Sequence, residues 1–435
     1  MKIKKLTILF LAAILSTAAS AQRVWTLEQC IDTALVNNRN IKQQKLAYQS
    51  KEIAYKQSKS NLLPNLNASA GQNFNFGRSL GADNTYIKSN SANSSFGISS
   101  DLTLYDGMKM KYNIDLKKSE LLASGADVQK VEKDIILNVS TVFLQVLQNK
   151  ELLQNAENQL ELTKKNIDRR KELINAGKLA EGEIYELQAQ EAKEEFSRVQ
   201  AENNLQISKL DLSQVMDLQE FNDLDVMVPE NLMENELALL SANEVYNSAL
   251  VTRPELKAAE YRLQSAVKNI SIAKADYLPT LGFGAQVGTG YYNMSQLTTN
   301  KPFSDQLSNN LSTTLGFRLS IPIFNKFEVK NRVATAKLDV ENTKIEIEKT
   351  KLDLKKTIQQ AYYNALAAQK RRDASLKSVK ANEEAYRFAA QKFDSGRANQ
   401  YEVNIAKNNL AQSISEQTQA KYEYVFRMKL LELMK

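Results

Sequence analysis

Histidine is absent from the 435 residues, and Cys30 is the single cysteine. Those counts exclude a Ser-His-Asp or Cys-His triad, a zinc site of ordinary ligands and an intrachain disulfide. Chemistry by carboxylate, lysine or tyrosine survives. The paired acids, however, lie on helical stretches with lysines at i,i+4, the pattern of a solvated helix face. Gly282-x-Gly284-x-x-x-Gly288 superficially suggests a phosphate loop. It follows a proline inside an alternating strand and misses the Gly-x-Gly-x-x-Gly spacing, so no nucleotide or other cofactor is expected. Met108, Met110 and Met294 suggest a soft-metal path, but nine scattered methionines read as gap-fillers, and no metal site is predicted. Arg169-Arg170-Lys171 and Lys370-Arg371-Arg372 read as solvated helix faces. The net charge of +7 falls to +4 without Lys2, Lys4 and Lys5, too dilute for a nucleic-acid partner.

With no catalytic constellation, the elements carry the argument. At 43% hydrophobic and 25% charged residues, the chain lacks the repeated apolar runs of a polytopic helical membrane protein. Lys2, Lys4 and Lys5 precede an apolar stretch from Leu6 to Ala19, and Ala19-Ser20-Ala21 fits a small-residue cleavage site. This predicts a secretory signal peptide over 1–21, cut between Ala21 and Gln22. Gln22 is not a cysteine, so no lipid anchor is expected there.

The remainder reads as two copies. Ala34-Leu35-Val36 matches Ala249-Leu250-Val251, and Leu63-Pro64-Asn65-Leu66 matches Leu278-Pro279-Thr280-Leu281, both at an offset of 215. Leu104-Tyr105-Asp106 resembles Ile323-Phe324-Asn325 at an offset of 219. Ala176-Gly177-Lys178 resembles Ser395-Gly396-Arg397, and Glu183 falls opposite Glu402, at the same offset. Ordered matches at two fixed offsets indicate a duplication. The predicted divisions are 22–219 and 220–435, with an insert at 217–241 between the copies in which Val226–Pro229 reads as a short strand.

Each copy starts with a helix, Thr26 to about Leu62 in the first, stopped by Pro64 or Pro279. Two alternating segments follow: Leu66–Ser79 and Asn93–Tyr105, then Leu281–Met294 and Leu311–Ile323. Phe96, Ile98, Leu102 and Leu104 fall on one face, opposite Ser95, Gly97, Ser99, Asp101 and Thr103. Leu311, Leu315, Phe317, Leu319 and Ile321 likewise oppose Ser312, Thr314, Gly316, Arg318 and Ser320. Period two predicts strands. An apolar face, a small and polar face, and aromatics near the ends (Phe74, Phe76, Tyr105, Tyr291, Tyr292, Phe324) predict membrane-barrel strands. Leu80–Ala92 and Ser295–Asn310 are the expected rim loops.

Asp106-Gly107 and Asn325-Lys326 then turn the chain into long helices. Gly107 to Asn175 holds no proline and would span about 100 Å. Val128, Val131, Ile135, Val139, Val142, Val146 and Leu153 form a coiled-coil-like seam in it. Gly177 breaks the helix, and Glu181–Met216 returns. The second copy repeats the plan with Lys326–Asp394, Gly396 and Asn399–Lys435.

This order, with the Leu63-Pro64 and Leu278-Pro279 exits, Arg253-Pro254-Glu255-Leu256, Ile321-Pro322-Ile323-Phe324 and two glycine tips, resembles the TolC family of outer-membrane efflux channels. The resemblance covers essentially the whole mature chain. It implies a mainly α fold with a transmembrane β-barrel: a homotrimer in which four strands per chain make a 12-stranded barrel in outer-membrane lipid. The long coiled-coil helices would form a periplasmic α-barrel. It implies no enzyme but a passive duct, docked to a periplasmic adaptor protein and an inner-membrane pump of RND or ABC type, for efflux or type I secretion. Adaptor docking would fall on Gly177, Lys178, Leu179 and Ala180 and on Gly396, Arg397 and Ala398. Pro64, Pro279, Pro322, Asp106 and Gly107 would be helix–strand junctions. An acidic entrance ring would fall on Glu402, with Glu183 opposite. Ile405 stands where a second acid would lie, and Ala398 where a basic residue would. The competing reading is a periplasmic coiled-coil scaffold or adaptor without a pore, which has no need for four strands with a matched apolar face.

Overall fold

A computed structural model describes residues 23–80, 84–177, 180–218, 224–229, 239–295 and 301–435. The predicted signal cleavage at Ala21 and Gln22, the tip residues Lys178 and Leu179, and the 219/220 division lie outside the described residues. The chain divides into two compact units, one of residues 1–46, 127–256 and 350–435, the other of 47–126 and 257–349.

The second unit holds a four-stranded antiparallel sheet in the order β2-β5-β7-β8: β2 (Asn67–Asn75), β5 (Ser91–Tyr105), β7 (Thr280–Met294) and β8 (Ser312–Ser320). Each copy contributes one hairpin, and β5 pairs with β7 across the copies. The expected loop 80–92 instead carries parts of a small hairpin, β3 (Arg78–Leu80) with β4 (Tyr86–Lys88). The expected loop 295–310 carries a seven-residue helix, α7 (Phe303–Asn309). The last strand stops at Ser320, short of the expected Ile323, because Pro322 cannot donate to a ladder. Leu104 stands in a register shift between Thr103 and Tyr105, so Tyr105 rather than Leu104 pairs with Leu281. Such an extra residue bends a strand next to its end.

The first unit is a helical bundle. Its helices are α1 (Leu27–Asn37), α4 (Glu183–Val215), α5 (Ala242–Thr252), α9 (Gln400–Leu433) and parts of α2 (Arg39–Ser60), α3 (Lys109–Asn175), α6 (Pro254–Ala275) and α8 (Glu328–Asp394). The long helices α3 and α8 have 67 residues each. Thr26 and Ser241 open α1 and α5 with the same reciprocal capping box, through Gln29 and Glu244. One core cluster gathers Cys30, Ala34 and Ile41 with Val139, Phe143 and Leu147 of α3 and Leu212 of α4. The matching cluster gathers Val245, Ala249 and Leu256 with Ile358, Ala361 and Ala365 of α8 and Met428 of α9. At the 219-residue offset, Ala361 and Ala365 of α8 stand where α3 has Val142 and Val146, so the two copies pack alike with different volumes.

The single helix expected from Thr26 to Leu62 is two helices. Asn38 is extended at the break, its side-chain nitrogen donating to Val215 O (3.1 Å) and its side-chain oxygen accepting from Asn40 N (2.9 Å). In the second copy Arg253 occupies the matching break, made extended by Pro254. Its guanidinium donates to Met434 O and Leu433 O. Each break thus satisfies carbonyls at the end of its copy's returning helix. The strand expected at Val226–Pro229 is β6 (Leu224–Val226), and it pairs in parallel with β1 (Arg23–Trp25), which periodicity did not announce. Lys150 and Lys209 hold Asp225 of β6 at 2.8 and 3.5 Å.

Candidate functional site

Register assigns each strand residue to a face. Ala70, Phe96 and Thr289 line up across the sheet, as do Leu102, Phe283 and Phe317, and Ala285 with Leu315. The Phe283 and Phe317 rings sit 5.1 Å apart. Toward β8 no described residue covers this apolar face: Phe317 is 72% exposed, and Leu315, Leu319 and Ile98 are likewise exposed. A contiguous apolar surface of this kind marks contact with lipid or another protein. The opposite face lines up Ser69, Gly97, Gly288 and Ser312, then Ser99, Gln286 and Thr314, then Asp101, Gly284 and Gly316. It is built mostly of small and polar residues, and can face water.

The sheet is open. β2 pairs with Ser91–Ser99 of β5, level with Gln286–Met294 of β7, whereas β8 pairs with Thr280–Gly288. The two edges are therefore staggered along the strands, as barrel closure requires. Where β8 does not reach, α7 covers the edge of β7. The Gln306 side chain accepts from Tyr292 N (2.9 Å) and donates to Tyr292 O (3.0 Å), while the Asn310 amide donates to Gly290 O (2.7 Å). Phe303 of α7 packs on Tyr291 and Phe96 of the apolar face.

The structure gives the surroundings of the residues read as junctions. Beyond Pro64's side of the hairpin, Asn65 N donates to Asp101 O, and its side-chain oxygen accepts from Asp101 N. Pro279 directly precedes β7, and Pro322 follows β8. Asp106 caps α3 by accepting from Met110 N at 2.9 Å. Gly107 is left-handed at φ +69°, and a Cβ there would come within 2.8 Å of Ala275 O. Asp276, just past α6, binds Lys109 of α3 at 2.6 Å and also pairs with Arg332 of α8. One carboxylate therefore ties the first turns of both long helices, a residue that sequence reading missed.

At the hairpin turns, Gly177 (φ +68°) and Gly396 (φ +74°) end α3 and α8 in the left-handed conformation, with open space around each. Arg397 N donates to Lys392 O and Gly396 N to Phe393 O, closing the last turn. Ala398 and Ala180 lie in the short connections to the returning helices. Asn399 caps α9 by accepting from Glu402 N (2.9 Å), so Glu402 is an exposed acid in a helix's first turn, where the dipole favours it. Glu183 is the first residue of α4.

Three helices share a buried polar knot that sequence reading also missed. Lys407 of α9 lies 3.1 Å from Glu194 of α4, and both side chains are buried. Thr163 of α3, fully buried, donates to Glu194 and accepts from Lys407. Gln190 adds a donor to Glu194 at 2.7 Å. Burial pushes the Lys407 ammonium below the usual lysine range, and the Glu194 carboxylate opposes that shift. Nearer the turns, Arg170 of α3 stacks on Phe393 of α8 at 4.4 Å and bonds Gln400 of α9. Farther away, Glu151 accepts from Lys421, Tyr422 and Thr418 of α9. Among the described residues no cluster of acids could hold a metal ion, and no helix is long and apolar enough to cross a membrane.

The family model for outer membrane efflux proteins matches residues 30–217 and again 245–432. The chain is 23% identical to the outer membrane protein TolC of Escherichia coli over 443 residues, which cover 97% of this chain and 84% of that protein. It is 20% identical to the toxin and drug export protein A of Aggregatibacter actinomycetemcomitans, over 92% of this chain and 83% of that one. In fold it resembles the outer-membrane channel CmeC of Campylobacter jejuni, with a TM-score of 0.77 at 18% identity, covering 94% of this chain and 85% of that one. The duplicated hairpins, the lipid-ready sheet and a family model matched twice over most of the chain lead to one conclusion: the chain belongs to the outer membrane efflux protein family, and its place is the outer membrane.

Proposed function

We propose that three copies of this chain form a passive exit duct across the outer membrane. The carrying observation is the open sheet, with one exposed apolar face, one small and polar face, and staggered edges. Four strands cannot close, and an open edge is not tolerated in hydrocarbon. Three copies supply twelve strands and leave room for a passage. The apolar face meets outer-membrane lipid, and the polar face lines the lumen. A periplasmic scaffold would leave the apolar face without purpose.

In this reading the mature chain begins at Gln22, and 22–219 and 220–435 are two copies of one unit. The long helices form a periplasmic α-barrel. The turns at Gly177–Ala180 and Gly396–Ala398 dock a periplasmic adaptor, which joins the duct to an inner-membrane pump of RND or ABC type. The pump supplies the energy and selects the cargo, and the duct performs no catalysis. Glu402 from three copies converges on the axis at the entrance, with Glu183 beside it. Converging carboxylates attract cations.

Single-channel recording of the purified mature protein in a planar bilayer tests both parts. A small steady conductance blocked by divalent cations, with the block lost in Glu402→Ala, is the expected result. Conductance indifferent to divalents discards the Glu402 ring and keeps the duct. Folded, helical protein that neither inserts nor conducts overturns the duct and revives the scaffold.

A further inference from the structure

The polar face of the sheet is almost without charge. Of the strand residues that register assigns to it, only Asp101 of β5 and Arg318 of β8 are ionised. Both lie toward the strand ends that lead into α3 and α8. Asp101 pairs with Gly284, which pairs with Gly316, while Arg318 pairs with Gly282. Glycines 282, 284 and 316 are thus the residues of this face between the two charges. The Asp101 carboxylate reaches over Gly284, coming within 3.4 Å of where a Cβ would stand. Asn65 fixes its main chain from both sides through Asp101 N and O. Arg318 is exposed on an edge strand.

We propose that Asp101 and Arg318 form a mixed-sign annulus that sets the charge preference of the membrane section of the lumen. This rests on the trimeric duct proposed above. Ring symmetry then repeats the pair three times, three carboxylates and three guanidiniums alternating around two adjacent rows of the wall. Glycine, serine and asparagine elsewhere on the wall present dipoles but no fixed charge. A solute of either sign therefore meets its first fixed charges in this section at the annulus, and neither sign meets a net barrier. The annulus suits a duct that releases anionic and cationic organic solutes alike. A wall carrying only one of the two charges would favour one sign.

The test is the potassium-to-chloride permeability ratio, from reversal potentials of the full-length mature protein in a potassium chloride gradient. Asp101→Asn should shift the ratio toward chloride and Arg318→Gln toward potassium, each by about twofold or more, and the double variant should return toward the parent. A second measurement does not depend on these two variants folding normally. Burial pushes the only native thiol, Cys30, up to about 12 and makes it unreactive. In Arg318→Cys, a charged, membrane-impermeant thiol reagent added from the outer side should lower conductance. In Phe317→Cys, one residue away on the lipid face, it should not. Unchanged permeability ratios in both single variants, or equal modification effects at 317 and 318, overturn the annulus while leaving a conducting channel. Absence of conductance in the parent protein overturns the duct itself, and the annulus with it.

Discussion

Two left-handed residues in succession precede each long helix: Gly107 and Met108 before α3, Lys326 and Phe327 before α8. Only the first pair contains a glycine. A side chain in this region costs about 1–2 kcal/mol per residue. Lys326→Gly should therefore raise stability by about 1 kcal/mol, read as a higher denaturation midpoint in detergent. Gly107→Ala should do the reverse and by more, because its Cβ would meet the Ala275 carbonyl as well as the backbone strain. Gly177→Ala carries the backbone cost alone, about 1 kcal/mol, since nothing lies within 4 Å. The glycines were legible in the sequence because breakers punctuate long helical runs. Asp276 and Lys407 were not, because an acid or a lysine on a helix looks solvated until the partner helix is known. The partners of Lys407 lie 213 and 244 residues away.

Between elements, polar contacts join α3 to α9 from Glu151–Lys421 to Arg170–Gln400. The buried knot of Thr163, Glu194 and Lys407 is the most demanding of them. Breaking a buried pair by removing one partner costs roughly 3–5 kcal/mol, whereas replacing both by apolar groups is often neutral. Lys407→Met should thus lower the thermal midpoint sharply, and adding Glu194→Leu should recover most of the loss. A midpoint equal to the parent in the single variant would show the pair to be solvated. The parallel strap of β1 on β6 carries its own pH dependence. Burial tends to raise the Asp225 pKa, but the Lys150 hydrogen bond and charge, aided by Lys209, win and hold it below 3.8. A group depressed on folding contributes stability above its unfolded pKa and loses it as pH falls through the folded one. Acid unfolding monitored at Trp25 should accordingly steepen below about pH 4 in the parent and flatten in Asp225→Asn. The long helices and alternating strands were legible from period alone. The break at Asn38 was not, because no proline stands there as Pro254 does at Arg253. β1 was not, because a three-residue parallel pairing leaves no periodic trace.

For the whole molecule, the exposed band of Leu315, Phe317 and Leu319 is the feature that commits the protein to lipid. Leu315→Arg should cost about 2–4 kcal/mol of insertion free energy if it lies near the bilayer midplane, measured by folding into vesicles. Thr314→Arg, on the other face, should insert as the parent does and act on conductance instead. The staggered free edges of β2 and β8 have a genetic consequence. In a closed ring every subunit supplies both an edge and a partner for one, so a single subunit with a ruined edge spoils the assembly it joins. In cells expressing normal and edge-defective copies equally, with random mixing in threes, only about one ring in eight is wholly normal. A proline placed in β8, harmless to the helical unit, should therefore behave as a dominant allele rather than a recessive one.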